Sequence, residues 1–247
     1  MAKLAILSSV QEGAFKGIAT NPDFGFTSDE SESALKDERQ VFLDAIWIDW
    51  LTKKVNVEVV RAMDGIPESY SADAYILGGS PSMVTEREQK EWIDRLIKFV
   101  RSEVEKGKPV FGICFWHQIL ATAFGWDVHN MSSRRIWKWH IDESTNGWLI
   151  ESLWSHKQWV FSSGDATIIA EQGGVAQIIQ VWDNAFWTQF HPEFTPEFTA
   201  FLVKLMRNQL TQEWLSPDAI LTEIYKNNHG NPSRLMLEWF VKKYYNL

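Results

Sequence analysis

The stretch Val110-Phe111-Gly112-Ile113-Cys114-Phe115-Trp116-His117-Gln118-Ile119-Leu120 holds the only cysteine among the 247 residues of the chain. The β-branched and aromatic run before this cysteine follows a turn at Lys108-Pro109 and predicts a short, buried parallel strand. The apolar spacing after it predicts a helix that ends at Gly125, since glycine is favoured just past a helix C-terminus. A strand, a sharp turn and a helix form a nucleophile elbow, which presents a side chain at the carboxyl edge of a sheet.

A lone cysteine is usually a small buried hydrophobe, so the hypothesis of a reactive thiol depends on its neighbours. Residues 112–118 resemble the Gly-x-Cys-x-Gly-x-Gln nucleophile motif of the triad-type (class I) glutamine amidotransferases at every fixed position but one. The exception is Trp116, where the family has glycine. Further along, Thr188-Gln189-Phe190-His191-Pro192-Glu193 resembles the family's Gln-Phe-His-Pro-Glu. Two matches in the family's order, at a fitting separation, are far more specific than one.

The resemblance implies a catalytic triad of Cys114, His191 and Glu193. Cys114 would attack an amide carbonyl to form a thioester, His191 would protonate the leaving nitrogen, and Glu193 would orient His191. A glycine pair closes the strand predicted at residues 72–77, and with Ser80 it resembles the family's oxyanion strand. By that resemblance the oxyanion donors would be the N–H groups of Gly79 and Phe115.

The resemblance also implies substrate contacts for Gln118, Trp116, His156 and Gln158. The segment containing His156 resembles the family's Ser-His-x-Asp-x-Val, with Gln158 in the aspartate position. The Trp116 indole must either point away from the thiol or fill the pocket that the family uses for glutamine. The catalytic residues match the family, whereas Trp116 and Gln158 depart from it at positions that contact the substrate. This combination predicts an altered acyl donor. The alternatives are a catalytically silent protein and a sequence into which Trp116 was introduced.

The composition excludes several other classes of function. With 32 acidic and 24 basic residues, the formal charge is −8, so we expect no nucleic-acid partner. A single cysteine precludes an intrachain disulfide framework and fits a reducing compartment. The N-terminal apolar run is short and predicts a first strand, and no apolar stretch approaches the ~18 residues of a membrane span. We therefore expect a cytoplasmic protein without a membrane partner, a metal site or a cofactor.

The predicted fold class is α/β, and the chain is predicted to be one domain over residues 1–247. The resemblance implies a flavodoxin-like class I amidotransferase fold, with a mostly parallel central sheet, flanking helices and a small additional β layer. Residues 9–39 lack a clear period and predict a long loop. The strands predicted between residues 136 and 182 are assigned to the additional β layer. Other predicted elements are a helix over 41–51, a strand over 56–60 and helices over 87–106, 197–209, 217–227 and 233–245.

Among class I amidotransferases, the chain is most similar to stand-alone relatives of the amidotransferase domain of GMP synthetase, including γ-glutamyl peptidase-like proteins. The first hypothesis is a hydrolase or amidotransferase that cleaves the γ-amide of glutamine or of a γ-glutamyl compound. The alternative from another class is a catalytically silent binding or regulatory subunit. A third hypothesis, an amidase that supplies ammonia to a separate synthetase subunit, requires a partner that the sequence does not name.

Overall fold

A central seven-stranded sheet organises the computed structural model, which describes residues 1–11, 13–46, 51–67, 69–88, 90–138, 153–161, 166–172, 175–226 and 232–245. In spatial order, its strands are Val55–Arg61 (β2), Ala2–Ser8 (β1), Ala74–Leu77 (β3), Val110–Ile113 (β4), Ala185–Thr188 (β9), Val175–Val181 (β8) and Thr167–Gln172 (β7). Strands β1 to β4 and β9 are parallel, whereas β8 and β7 pair antiparallel at one edge. The predicted mostly parallel α/β sheet is confirmed.

Helices cover both faces of the sheet. In chain order they are Lys16–Ala19 (α1), Ser28–Leu35 (α2), Glu38–Ile46 (α3), Leu51–Lys54 (α4), Glu91–Glu105 (α5), Phe115–Ala123 (α6), Pro196–Leu205 (α7), Arg207–Gln212 (α8), Pro217–Lys226 (α9) and Leu235–Tyr245 (α10). Because side chains alternate along a strand, β1 sends Leu4 and Ile6 toward α3 and α10, and Ala5 and Leu7 toward α5 and α6. None of the helices that the structure describes is both long and apolar enough to cross a membrane.

The prediction of a long loop over residues 9–39 is wrong, because α1, α2 and the start of α3 lie within it. Helix α2 begins with a capping box in which the Thr27 hydroxyl accepts from the Glu30 amide and the Glu30 carboxylate accepts from the Thr27 amide. Glu30 is also buried in an ion pair with Lys204 of α7, at 2.8 Å. Capping and tertiary contacts thus form a short helix that has no strong apolar period of its own.

The additional β layer is smaller than predicted. It consists of Asp127–Lys138 (β5) and Leu153–Phe161 (β6), which pair antiparallel apart from the central sheet. The prediction that β7 and β8 belong to this layer is wrong, because both strands pair within the central sheet. Their place follows from burial, since residues 175–179 of β8 are buried without interruption and the strand is covered on both faces. The strand predicted over residues 148–150 lies outside the described residues.

Candidate active site

Cys114 occupies the single residue between β4 and α6, as the elbow prediction requires. Its backbone has φ 52° and ψ −99°, a conformation that non-glycine residues rarely adopt. Strain of this kind costs on the order of 1–3 kcal/mol and persists only where the surrounding structure imposes it. Here the Cys114 amide donates to the Thr188 carbonyl of β9 at 2.8 Å. The neighbouring strand therefore helps to hold the strained turn.

Gly112 permits the close packing of α6 on β4. A β-carbon at this position would lie 2.7 Å from Leu120 Cδ1 and 3.3 Å from both the Trp116 carbonyl oxygen and Trp187 Cβ. Contacts under 3.0 Å are essentially never seen for a real β-carbon, so a larger residue would displace the Leu120 side chain and crowd the helix backbone at Trp116. The glycine two residues before the cysteine thus allows the N-terminal part of α6 to lie close to β4.

His191 lies just after β9, which pairs directly with β4, so the histidine comes next to Cys114 despite 77 residues of separation in sequence. Its Nδ1 is 2.7 Å from Glu193 Oε1, and the ring also hydrogen-bonds the Cys114 side chain. The Phe194 ring stacks on the imidazole with 3.9 Å between centroids and 9° between planes. Cys114, His191 and Glu193 are each 6% exposed. The three predicted triad residues are therefore together in one buried, connected group.

The electrostatics of this group favour a protonated His191. Burial alone disfavours the imidazolium and would lower its pKa. The negative charges of Glu193 and Cys114, with the hydrogen bonds to both, outweigh burial and raise the pKa of His191 to about 10. At neutral pH the ring accordingly carries a proton that it can donate.

The two predicted oxyanion donors, Gly79 and Phe115, each adjoin one member of the triad. A β-carbon at Gly79 would be 2.6 Å from His191 Cε1, so the imidazole lies directly against the glycine backbone. Phe115 is the first residue of α6, where N–H groups have no carbonyl partner within the helix. Its ring is buried beside Trp92. Phe115 thus follows the nucleophile directly and Gly79 lies against the imidazole, and the role of both N–H groups as oxyanion donors stays a prediction.

The Trp116 side chain is fully buried in the hydrophobic core on the α5 side of the sheet. Cys114 belongs to the cluster on the opposite side, with α3 and α10. Of the two orientations that the sequence leaves open, the indole thus adopts the one that points into the core. Its Nε1 has no hydrogen-bond partner among the described residues. Gln118, in the same helix, is 3% exposed.

Gln158 connects the additional β layer to the segment that contains Val84 and Thr85. Its Oε1 accepts from the Val84 amide at 3.0 Å, and its Nε2 donates to Thr85 Oγ1 at 3.0 Å and to Asn130 Oδ1 at 2.8 Å. Both amide hydrogens are therefore used to link β6 and β5 to the segment that follows Gly79. The backbone of His156 pairs with Arg135 in β5, but its side chain lies outside the described residues. The substrate contacts of Gln118, Trp116, His156 and Gln158 stay predictions.

Glu38 is a residue near the site that the sequence did not indicate, because an acidic residue in the first turn of a helix is commonplace. Its carboxylate lies against the glycine pair, with Oε1 2.6 Å from where a β-carbon of Gly78 would be. Burial raises the pKa of Glu38 to about 7, and the Glu193 charge contributes, against a hydrogen bond with Ser8 and the Arg61 charge. A second carboxyl group, that of Glu38, is therefore close enough to Glu193 to interact with it electrostatically.

Glu38→Gln is expected to stabilise the protein at pH 8 but not at pH 4.5. Because the pKa is raised from an ordinary 4.5, the folded state binds this proton more tightly, and stability falls as pH rises through the window from 4.5 to 7. The lost stability is about 3 kcal/mol at pH 8, where glutamine avoids burying a charge. Urea unfolding of both proteins at the two pH values measures the difference. Glutamine at the exposed Glu32 is the matched control, and a difference that does not change with pH contradicts the prediction.

Comparison with known proteins provides independent information on the family. The model of the family described as glutamine amidotransferase class-I matches residues 36–210. A GMP synthase [glutamine-hydrolyzing] of Anaplasma marginale is 28% identical over 171 residues, which are 62% of this chain and 32% of that protein. One of Corynebacterium ammoniagenes is 32% identical over 158 residues, 58% of this chain and 28% of that protein. This chain thus spans about a third of the length of these relatives.

Solved structures show the same fold over nearly the whole chain. A glutamine amidotransferase from Thermotoga maritima superposes with a TM-score of 0.66 at 13% identity, covering 98% of this chain and 97% of that one. A glutamine amidotransferase from Methylobacillus flagellatus gives a TM-score of 0.55 at 17% identity, covering 99% and 92%. The family match includes the Cys114 elbow and the segment from His191 to Glu193, and the chain belongs to the class-I glutamine amidotransferase family.

Proposed function

We propose that this chain is a cysteine-dependent hydrolase or amidotransferase that cleaves the γ-amide of glutamine or of a γ-glutamyl compound through a thioester. The observation that supports the proposal most strongly is the hydrogen-bonded series Cys114, His191 and Glu193 at the end of adjacent parallel strands. A nucleophile, a base within hydrogen-bonding reach and a group that orients the base are the parts that acyl transfer requires.

In the first half of the proposed reaction, the Cys114 sulfur attacks the amide carbonyl carbon. The carbonyl oxygen becomes an oxyanion, which the N–H groups of Gly79 and Phe115 stabilise. The carbon–nitrogen bond then breaks as His191 transfers its proton to the departing nitrogen, leaving a thioester and free ammonia or amine. The raised pKa of His191 supports this step, because the acid is already protonated at neutral pH.

In the second half, water attacks the thioester carbonyl and gives its proton to His191. The carbon–sulfur bond breaks, glutamate or its derivative leaves, and the thiolate and imidazolium are restored. Glu193 stabilises the imidazolium through Nδ1 and keeps Nε2 available for the reacting groups, while the stacked Phe194 limits rotation of the ring.

The position of Trp116 favours an active enzyme over a silent binding subunit, because the indole packs in the core instead of beside the thiol. The test is ammonia and glutamate release from glutamine and from a γ-glutamyl dipeptide by the native chain and by Trp116→Gly. We expect turnover of at least one donor by the native chain and no gain in the variant. A silent native chain with an active variant would show that the indole closes the pocket. Silence of both would oppose the proposal.

The destination of the ammonia is a separate part of the proposal. The GMP synthases that this chain matches are about three times as long as the aligned part. We propose that a separate synthetase subunit uses this ammonia, because the relatives that the chain matches over about a third of their length are named GMP synthases.

A further inference from the structure

Gln189 is a fully buried amide beside the nucleophile that the mechanism above does not use. Its Nε2 lies 3.8 Å from Cys114 Sγ, within reach of an N–H···S hydrogen bond. Its backbone amide donates to the Gln177 carbonyl of β8 at 2.9 Å, which anchors the residue to the sheet. The Gln189 side chain is thus held next to the sulfur from the same segment that supplies His191.

We propose that Gln189 is a positioning residue for the nucleophile, donating an amide N–H to the Cys114 thiolate while His191 holds the same sulfur from its own position. This inference rests on the proposed role of Cys114. A sulfur that is almost closed to solvent has lost the water molecules that would otherwise solvate its negative charge, so the protein must supply donors in their place. A neutral amide performs this task without changing its own proton state. It also restricts rotation of the thiolate away from the incoming carbonyl.

The cost of keeping an amide at this position supports a role beyond packing. Gln189 Oε1 is buried without a hydrogen-bond partner among the described residues, and such an acceptor is unfavourable in a folded protein. Gln177, a buried glutamine on the neighbouring strand, shows the contrast. Its Nε2 donates instead to the Val175 carbonyl of its own strand, at 3.3 Å, as expected of a structural amide. An apolar side chain of similar shape would suit position 189 better if only the fold required it.

The test is the rate of alkylation by iodoacetamide as a function of pH, which reads one site because Cys114 is the only cysteine. In Gln189→Met we expect the midpoint of the profile to move up by about one pH unit, with roughly tenfold slower alkylation on the low-pH side. The melting temperature should stay the same or rise. Gln189→Glu, which places an acceptor and a negative charge beside the sulfur, should move the midpoint further in the same direction.

Gln177→Met is the matched control, and its midpoint should equal that of the native chain. An unchanged midpoint in Gln189→Met, or a shift equal to that of Gln177→Met, would overturn the proposal. If Gln189→Met does not fold, the midpoint of Gln189→Leu decides in the same way, because leucine also lacks the donor and adds no charge. The assay needs no substrate, so a reactive thiol with the expected shift in a chain that cleaves neither donor would oppose the proposed function and leave this inference standing.

Discussion

Cys114→Ala is expected to lower kcat/KM for the accepted donor by at least about 10⁴-fold, because no other group can form the thioester. The structure shows no second thiol to replace it, since the chain has one cysteine. Release of ammonia and of glutamate measured in parallel gives the loss for both halves of the reaction. Retention of more than a hundredth of the native rate would contradict a thioester at Cys114.

Two controls accompany this variant. Alanine must adopt the same positive φ as the cysteine, so its thermal unfolding should resemble that of the native chain. Alkylation of the native chain should abolish activity when one adduct has formed per chain, and the adduct should be absent from Cys114→Ala. Activity that survives complete alkylation would place the reaction elsewhere in the protein.

Glu193→Gln is expected to lower kcat by about 10²- to 10⁴-fold and to change the pH dependence of the reaction. Glutamine still accepts from His191 Nδ1, but it removes the charge that opposes the effect of burial. In the native protein, kcat should fall at high pH as His191 loses its proton, and the pKa of His191 is about 10. This fall is the high-pH limb of the kcat–pH profile. In the variant this limb should move toward the ordinary histidine range, and a kcat–pH profile from pH 5 to 10.5 measures the change.

Glu193→Asp and Glu103→Gln separate charge from packing. Aspartate keeps the negative charge, so the high-pH limb should stay nearer its native position even if kcat falls. Glu103 is an equally buried carboxylate that accepts from the Tyr75 hydroxyl at 2.7 Å and pairs with Lys106. Glutamine at position 103 should reduce the stability of the protein without moving the high-pH limb of the kcat–pH profile. An unshifted limb in Glu193→Gln would remove Glu193 from the proposed triad.

Prediction from the sequence succeeded where the local spacing of apolar residues and the tertiary contacts favour the same secondary structure. The apolar run before Cys114 is a buried strand because both of its faces are covered. The helix after it ends at Ala123, and Gly125, with φ 78°, lies just past the C-cap residue Phe124. The family motifs identified the histidine and carboxylate that follow β9. Their proximity to the thiol required only that the two strands be neighbours, since parallel strands end at the same edge.

The remaining features depend on contacts that no local pattern carries. Helix α2 is stabilised by its cap and by Lys204, which is 174 residues from Glu30. The Trp116 side chain lies in the core on the α5 side of the sheet, whereas the sequence alone left both directions open. Glu38 and Gln189 resemble an ordinary helix-start acid and an ordinary strand-end amide. Only the folded chain shows that one lies against Gly78 and the other against the sulfur.

The positive φ of Cys114 has a consequence for how this protein responds to selection. Glycine adopts such a conformation freely, so glycine at position 114 would relieve backbone strain of about 1–3 kcal/mol, against an entropic cost of about 0.5–1 kcal/mol. A screen that rewards heat resistance alone would therefore favour the change that removes the thiol. Substitutions that raise thermal stability and keep the thiol must therefore lie away from the elbow. At position 114 itself, higher stability and catalytic activity exclude each other.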